Sequence, residues 1–222
     1  MITIGIHAKL QHSGVVGMLR NIFYKSGVRI NIVETFNFYT EMDAKTSLIA
    51  YLKELRKSKT DIVIIKIIPE KMMQGLYNHV RFNFLIYEHA IEQYPKYFTQ
   101  TYLSYYKKIL SNMEKEDIAL INIDNDKMAE LLKGSKMCVI TYGLNSKATI
   151  TTSSIEEGEQ PNTFIYCLQR SIKTINGEDI EAQEFPVRVR SSKDKEIYNT
   201  LGAVTIGLIY NVDIFQIQAF IL

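Results

Sequence analysis

Met1-Ile2-Thr3-Ile4-Gly5-Ile6, then His7-Ala8-Lys9-Leu10-Gln11-His12-Ser13-Gly14, then a helix-periodic stretch, is the strand, loop and helix order on which the fold turns. The opening residues read directly as a strand. Five more short β-branched runs follow at 29–34, 61–66, 82–87, 118–123 and 137–142, with longer stretches of helical period between them. Strands alternating with helices are the signature of βαβ units and of a mostly parallel sheet covered by helices on both faces. Six strands make an ordinary open sheet.

Between the second and third runs, Leu48, Tyr51, Leu52 and Leu55 recur at i, i+3, i+4 and i+7, which places one stripe of a helix on the sheet and turns Lys53, Glu54, Arg56 and Lys57 to water. A second helix over 98–113 carries Tyr102, Tyr105, Tyr106 and Ile109 on one side, an aromatic stripe that reads as core. After Gly143 the pattern changes to short alternating runs at 148–152, 163–169 and 185–190, punctuated by Gly158, Pro161 and Asn176-Gly177. Asn-Gly between strand-like runs signals a hairpin. The expected fold class is therefore α/β, a mostly parallel sheet flanked by helices with a small antiparallel sheet in the C-terminal third. A last helix over 194–210 and an apolar tail over 213–222 complete one domain of residues 1–222: a parallel part at 1–143, antiparallel strands at 144–192 and closing helices at 193–222.

Apolar residues make up 46% and charged residues 23% of 222, the balance of a globular protein with a sizeable core. With 26 Lys and Arg against 24 Asp and Glu, the formal charge is only +2, so no strong field draws the chain to nucleic acid or to a membrane surface. The longest apolar stretch, near 203–210, is far short of the about 20 residues that a membrane span needs. Cys138 and Cys167 lie in apolar strand-like runs without CxxC spacing, and the expectation is buried thiols in a reduced compartment. These features place the protein in the cytoplasm.

In a βα nucleotide site, a glycine-rich loop between strand and helix gives phosphates access to backbone N–H groups, and a lysine neutralises their charge. The loop from His7 to Gly14 has the position of such a P-loop but not its composition. The stretch from Ile4 to Phe23 resembles the first strand, loop and helix of the central, ATP-binding domain of the Mur ligases, the amide ligases of peptidoglycan synthesis. That segment reads roughly V-G-V-T-G-T-N-G-K-T-T in the family. Gly5, Met18, Leu19, Ile22 and Phe23 match its structural positions, whereas Ala8 and Gln11 replace glycines, His12 replaces the lysine, and Ser13 alone keeps a hydroxyl where the family holds magnesium.

The resemblance continues along the chain. The run from Asp61 to Pro69 is similar to the family strand ending in E-V-S-S, with Lys66 at the position of the metal-binding Glu. Val80 to Tyr87 looks like the strand before T-N-L-x-x-D-H, where Glu88-His89-Ala90 and Tyr94 replace polar and His positions, and the family's carbamylated lysine falls at Tyr106, beside Lys107 and Lys108. Ala119 to Asp126 is similar to the N-x-D-D segment, and Cys138-Val139-Ile140-Thr141-Tyr142-Gly143 to V-I-T-Y-G. Glu196 to Ala203 resembles the F-N-V-Y-N-A-L-A-A helix, keeping Asn199 but placing Glu196 where an Asn helps to bind adenine.

Positions that build strands and helices agree with the family; those that would hold phosphate, magnesium or the carbamate disagree. Phosphoryl and acyl transfer rest on such positioned charges. The resemblance thus implies a catalytically degenerate Mur-ligase-like protein, a pseudoenzyme that acts through binding, as a scaffold or regulator related to cell-wall synthesis. Its partner is an unidentified protein or a second copy of itself, and no cofactor is expected. The alternative is an ATP-dependent amide ligase with a divergent site, using ATP and magnesium, in which Lys9 or His12 meets phosphate and Ser13 the metal. Lys9, His12, Ser13, Gly14 and Asn199 are the candidates for a weak nucleotide or anion site, since a helix starting near Ser13 offers free N–H groups. Complete Mur ligases carry further amino- and carboxy-terminal domains, for which 222 residues leave no room.

The four histidines, His7, His12, His79 and His89, lack metal-ligand spacing and read as loop or surface residues. Asp124 and Asp126 read as a helix cap and first-turn acid before 127–132. Neither cysteine has a histidine near in sequence, which argues against a thiol nucleophile.

Overall fold

The structure, a computed structural model, describes residues 1–7, 13–35, 41–87, 100–124, 132, 134–156, 162–190 and 193–220. Its strands are β1 (Ile2–His7), β2 (Ile30–Val33), β3 (Ile62–Ile67), β4 (Phe84–Tyr87), β5 (Ile118–Asn122), β6 (Cys138–Tyr142), β7 (Ile150–Glu156), β8 (Asn162–Leu168), β9 (Ile172–Lys173), β10 (Asp179–Ile180) and β11 (Gln183–Val189). Its helices are α1 (Gly14–Lys25), α2 (Glu41–Lys57), α3 (Pro69–Met73), α4 (Gln100–Ser111), α5 (Asp194–Ile209) and α6 (Ile214–Phe220). Among the described residues, nine strands form a sheet in the order β11-β8-β7-β6-β5-β4-β1-β3-β2, and β9 pairs with β10. The ladders β2–β3, β3–β1, β1–β4, β4–β5 and β6–β7 are parallel, and β7–β8 and β8–β11 antiparallel.

By contacts the chain divides into two compact units. The first comprises residues 1–13, 29–120 and 127–139. At its centre β1 pairs with β3 from Ile2↔Ile62 to His7↔Ile67 and with β4 from Ile4↔Phe84 to His7↔Tyr87. Both faces are covered, so β1, β3 and β4 read as nearly continuous apolar runs instead of alternating ones, as buried parallel strands do. Gly5 sits there because a Cβ would lie 2.7 Å from Phe82 and 2.9 Å from Ile67 and Leu85. Of the α2 stripe, Leu48 and Leu55 are buried, but Tyr51 is 41% exposed, with its hydroxyl 3.4 Å from Asn31; the buried stripe is narrower than the sequence period suggests.

The second unit comprises residues 14–28, 121–126 and 140–222. Its core is α5, buried from Ile197 to Ile209 without interruption, so it reads as apolar all round and packs against α1 through that helix's Val15, Leu19 and Ile22 face. The three longer alternating runs of the C-terminal third extend the main sheet as β7, β8 and β11, and Asn176-Gly177 turns the separate β9–β10 hairpin. The reason is burial: Ile150, Phe164, Tyr166, Phe185 and Val187 need a cover that two short strands cannot supply, and Tyr166 reaches Thr205 of α5 at 2.9 Å. The apolar tail forms α6, whose Ile217 is fully buried and packs on Gly207, whereas Phe215 stays 80% exposed.

Cys167 is buried as expected, and Cys138 is exposed. Cys138 opens β6, which meets β7 only at Tyr142↔Ile150, so the first residues of the strand lack a neighbour on that side. No helix among the described residues is long and apolar enough to cross a membrane.

Candidate functional site

In an open, doubly wound sheet the crevice outside the carboxyl ends of the strands, where the strand order reverses, is the place for a ligand. Here β1 lies between β3 and β4, so that the reversal falls at the β1–β4 pair. The last residues of those strands, His7 and Tyr87, stand side by side in register. Two residues one turn apart on α4, Tyr102 and Tyr106, complete a cluster: the His7 ring lies 5.0 Å from that of Tyr87, 5.7 Å from Tyr102 and 5.3 Å from Tyr106, and Tyr87 meets Tyr106 edge-on at 6.0 Å.

All four rings are buried. His7 is therefore a core residue, not the loop or surface histidine its sequence context suggests. A ring nitrogen of His7 hydrogen-bonds the Tyr102 hydroxyl, and burial pulls the imidazole down to about 3, so His7 is neutral at physiological pH. Burial pushes the Tyr106 phenol well up, and its hydroxyl has no hydrogen-bond partner among the described residues. The cluster carries no charge. Tyr102 and Tyr106 bear out the aromatic stripe read as core, while Tyr105 is only half-buried. The signal that could have placed His7 is its position as the last residue of an unbroken apolar strand.

Lys66 on β3 pairs with Glu34 at 2.6 Å, and its side chain is only 13% exposed. Beside it, Thr35 donates to the Lys66 carbonyl at 2.9 Å and meets the Tyr77 hydroxyl at 2.7 Å. The ammonium is thus paired with Glu34, while Thr35 and Tyr77 hold the Lys66 backbone carbonyl. A magnesium ion does not fit this set: the position that the family resemblance equates with a metal-binding Glu bears a cation already neutralised by Glu34. Among the described residues no group of three or more His, Cys, Asp or Glu side chains could hold a metal ion.

In the second unit two of the site residues expected from the sequence come together. Gly14 begins α1, and a side chain there would run into the Asn199 amide of α5. Asn199 is 2% exposed, and its Oδ1 is buried without a hydrogen-bond partner among the described residues. Ser13 is buried as well. Lys9 and His12 lie outside the described residues, as do Glu88, His89, Tyr94 and Asp126.

Asp124 follows β5, and its carboxylate accepts hydrogen bonds from the Tyr198 hydroxyl at 2.7 Å, from Leu144 N–H at 2.7 Å and from Asn145 N–H at 3.1 Å. Gly143 is required at this approach, since a Cβ would lie 2.6 Å from Asp124 Oδ2. The expected role of Asp124 as a cap concerns 125–131, outside the described residues; what the structure gives it is a clasp between the loop after β6 and α5. Tyr198 and Asn199 are adjacent on α5, so the clasp fixes the helix turn that carries the buried amide.

An open, doubly wound sheet whose first strand is followed by α1, with the order reversing between β1 and β4, is the frame on which the chain is built. Residues 13–207 match the model of the Mur ligase middle domain, and the chain belongs to that family. No curated protein matches the chain in sequence. Among solved structures it is similar to UDP-N-acetylmuramoyl-L-alanyl-D-glutamate--2,6-diaminopimelate ligase, with a TM-score of 0.73 at 14% identity over 100% of this chain and 46% of that one. It is similar also to MurF from Acinetobacter baumannii, with a TM-score of 0.68 at 12% identity over 99% and 45%, and to the apo form of L. casei FPGS, with 0.62 at 10% over 99% and 62%. The chain spans about half the length of the first two.

Proposed function

We propose that this protein is a catalytically degenerate Mur-ligase-like domain that works by binding, as a scaffold or regulator related to cell-wall synthesis in the cytoplasm, with a protein or a second copy of itself as partner. The observation that carries this reading is the closed cluster of His7, Tyr87, Tyr102 and Tyr106 at the reversal of the strand order. The residue at the place the resemblance gives to the carbamylated lysine is Tyr106, which is fully buried and uncharged and so supplies neither a cation nor a carbamate to hold a metal ion there. Lys66, bound to Glu34, supports the same reading at the metal position.

A second reading, an ATP-dependent amide ligase with a divergent site, is favoured by one feature, the buried Asn199 Oδ1 beside Gly14, without a hydrogen-bond partner among the described residues. That oxygen only accepts hydrogen bonds, so it suits a donor such as a nucleotide amino group and not an anion, and Lys9, His12, Ser13 and Gly14 remain the candidates for a weak nucleotide or anion site. Release of inorganic phosphate from ATP separates the readings. We expect none above background with magnesium present, and magnesium-dependent turnover would overturn the degenerate reading in favour of the ligase.

A further inference from the structure

We propose that the first unit carries a second ligand site, for a small organic phosphate, in the cleft between the end of α4 and the turn before β6. The cleft has a volume of about 340 Å³ and is lined by Lys107, Leu110, Ser111 and Met113 from one side and by the 134–137 turn from the other. Clefts of roughly 300–1,000 Å³ hold small molecules. It lies at the amino-terminal ends of β5 and β6, the opposite edge of the sheet from the His7 cluster.

Its chemistry is one-sided. Lys107 and Ser111 are one turn apart on α4 and share a face, Ser111 Oγ donating to the Lys108 carbonyl at 2.8 Å, and Ser135 and Lys136 line the other side, so the lining holds two lysines and two serines and no carboxylate. The acids nearest in sequence are committed elsewhere: Glu114, Glu116 and Asp117 all bind Arg81, at 2.7, 2.7 and 2.8 Å. Neither Lys107 nor Lys136 has an ion pair among the described residues. Gly134, at φ 79°, takes the left-handed conformation that brings this turn round. Leu110, Met113 and Met137 are buried beneath the polar rim and form an apolar floor. Two cations over such a floor suit a phosphate joined to an apolar body, since a phosphate presents several acceptor oxygens at once.

The test is titration of the intact chain with inorganic phosphate and with phenyl phosphate, followed by amide NMR at low salt. Saturable shifts at Gly134, Ser135, Lys136 and Ser111 are expected. Phenyl phosphate should bind about tenfold more tightly than phosphate because its ring covers the apolar floor. The K107Q/K136Q double variant, which alters only exposed side chains, should keep the wild-type melting temperature and lose affinity for phenyl phosphate by about tenfold or more. Absence of shifts at about 10 mM ligand, far weaker than a specific site, would overturn the proposal. So would shifts that survive the double variant, equal affinity for the two ligands, or shifts confined to residues 13 and 14.

Discussion

Two regions of the molecule are held together in different ways. At the carboxyl ends of β1 and β4 rings pack on one another, and the one imidazole among them is neutral. Between α1 and α5 Gly14 meets the Asn199 amide, and the neighbouring Tyr198 is fixed by Asp124. The first region rests on ring packing without charge; the second rests on a backbone approach that no other side chain at residue 14 would allow. Under the function proposed above, the frame of a nucleotide site persists while the reacting centre serves as core, since packing and catalysis make separate demands on the same positions.

The largest effect should come from restoring charge to the packed region. Tyr106→Lys places an ammonium among neutral rings, and an uncompensated buried charge costs about 3–5 kcal/mol. Its melting temperature should fall sharply, whereas Tyr106→Phe, which removes a hydroxyl without a partner among the described residues, should stay within about 1 kcal/mol of wild type. A Tyr106→Lys protein as stable as wild type would show that this pocket accommodates the family's lysine after all.

His7 gives the next effect. Its folded value is lowered from 6.5 to about 3, so between these limits the unfolded chain binds a proton that the folded chain excludes. This contribution to stability is fully present above pH 6.5 and is lost as pH falls, at about 1.4 kcal/mol per unit. Denaturant unfolding of wild type at pH 6.5 and 4.5 should differ by about 2 kcal/mol more than it does for His7→Gln. Equal pH slopes for the two proteins would mean that His7 is solvated.

Much of the fold was legible in the sequence. Each of the six parallel strands falls within two residues of its expected position, because runs such as Ile62 to Ile67 are too short and too apolar to be anything but buried strands. The union of β7, β8 and β11 with the main sheet was not legible, since alternation shows which residues turn inward but not which strand lies beside them. Of the candidate site, Gly14 and Asn199 were each legible as candidates, but their direct contact, 185 positions apart in sequence, was not. The ring cluster was only half visible: the tyrosine stripe announced itself by period, whereas His7 is a strand-end residue whose burial depends on what α4 brings to it. Asp124 reads as a local cap by its neighbours, whereas the partners the structure shows, Tyr198 and the 144–145 amides, lie too far along the chain for spacing to reveal.

In the retained region the effect should be smaller. Gly14→Ala forces a methyl group against the Asn199 amide, and crowding of this kind costs about 1–3 kcal/mol. Combining it with Asn199→Ala should recover part of that loss, a coupling that distant sites would not show. Strict additivity of the two substitutions would break the link between α1 and α5 proposed for this site.

The central claim, that the nucleotide-ligase frame survives here without its catalytic centre, is tested most directly by the melting temperature with millimolar ATP, measured with and without magnesium. A ligand at 100 times its dissociation constant stabilises a protein by about 2.7 kcal/mol, a shift of several degrees. The account predicts no magnesium-dependent change, because Lys66 is already paired with Glu34 and the His7 cluster is closed. A clear rise that requires both ATP and magnesium would contradict it.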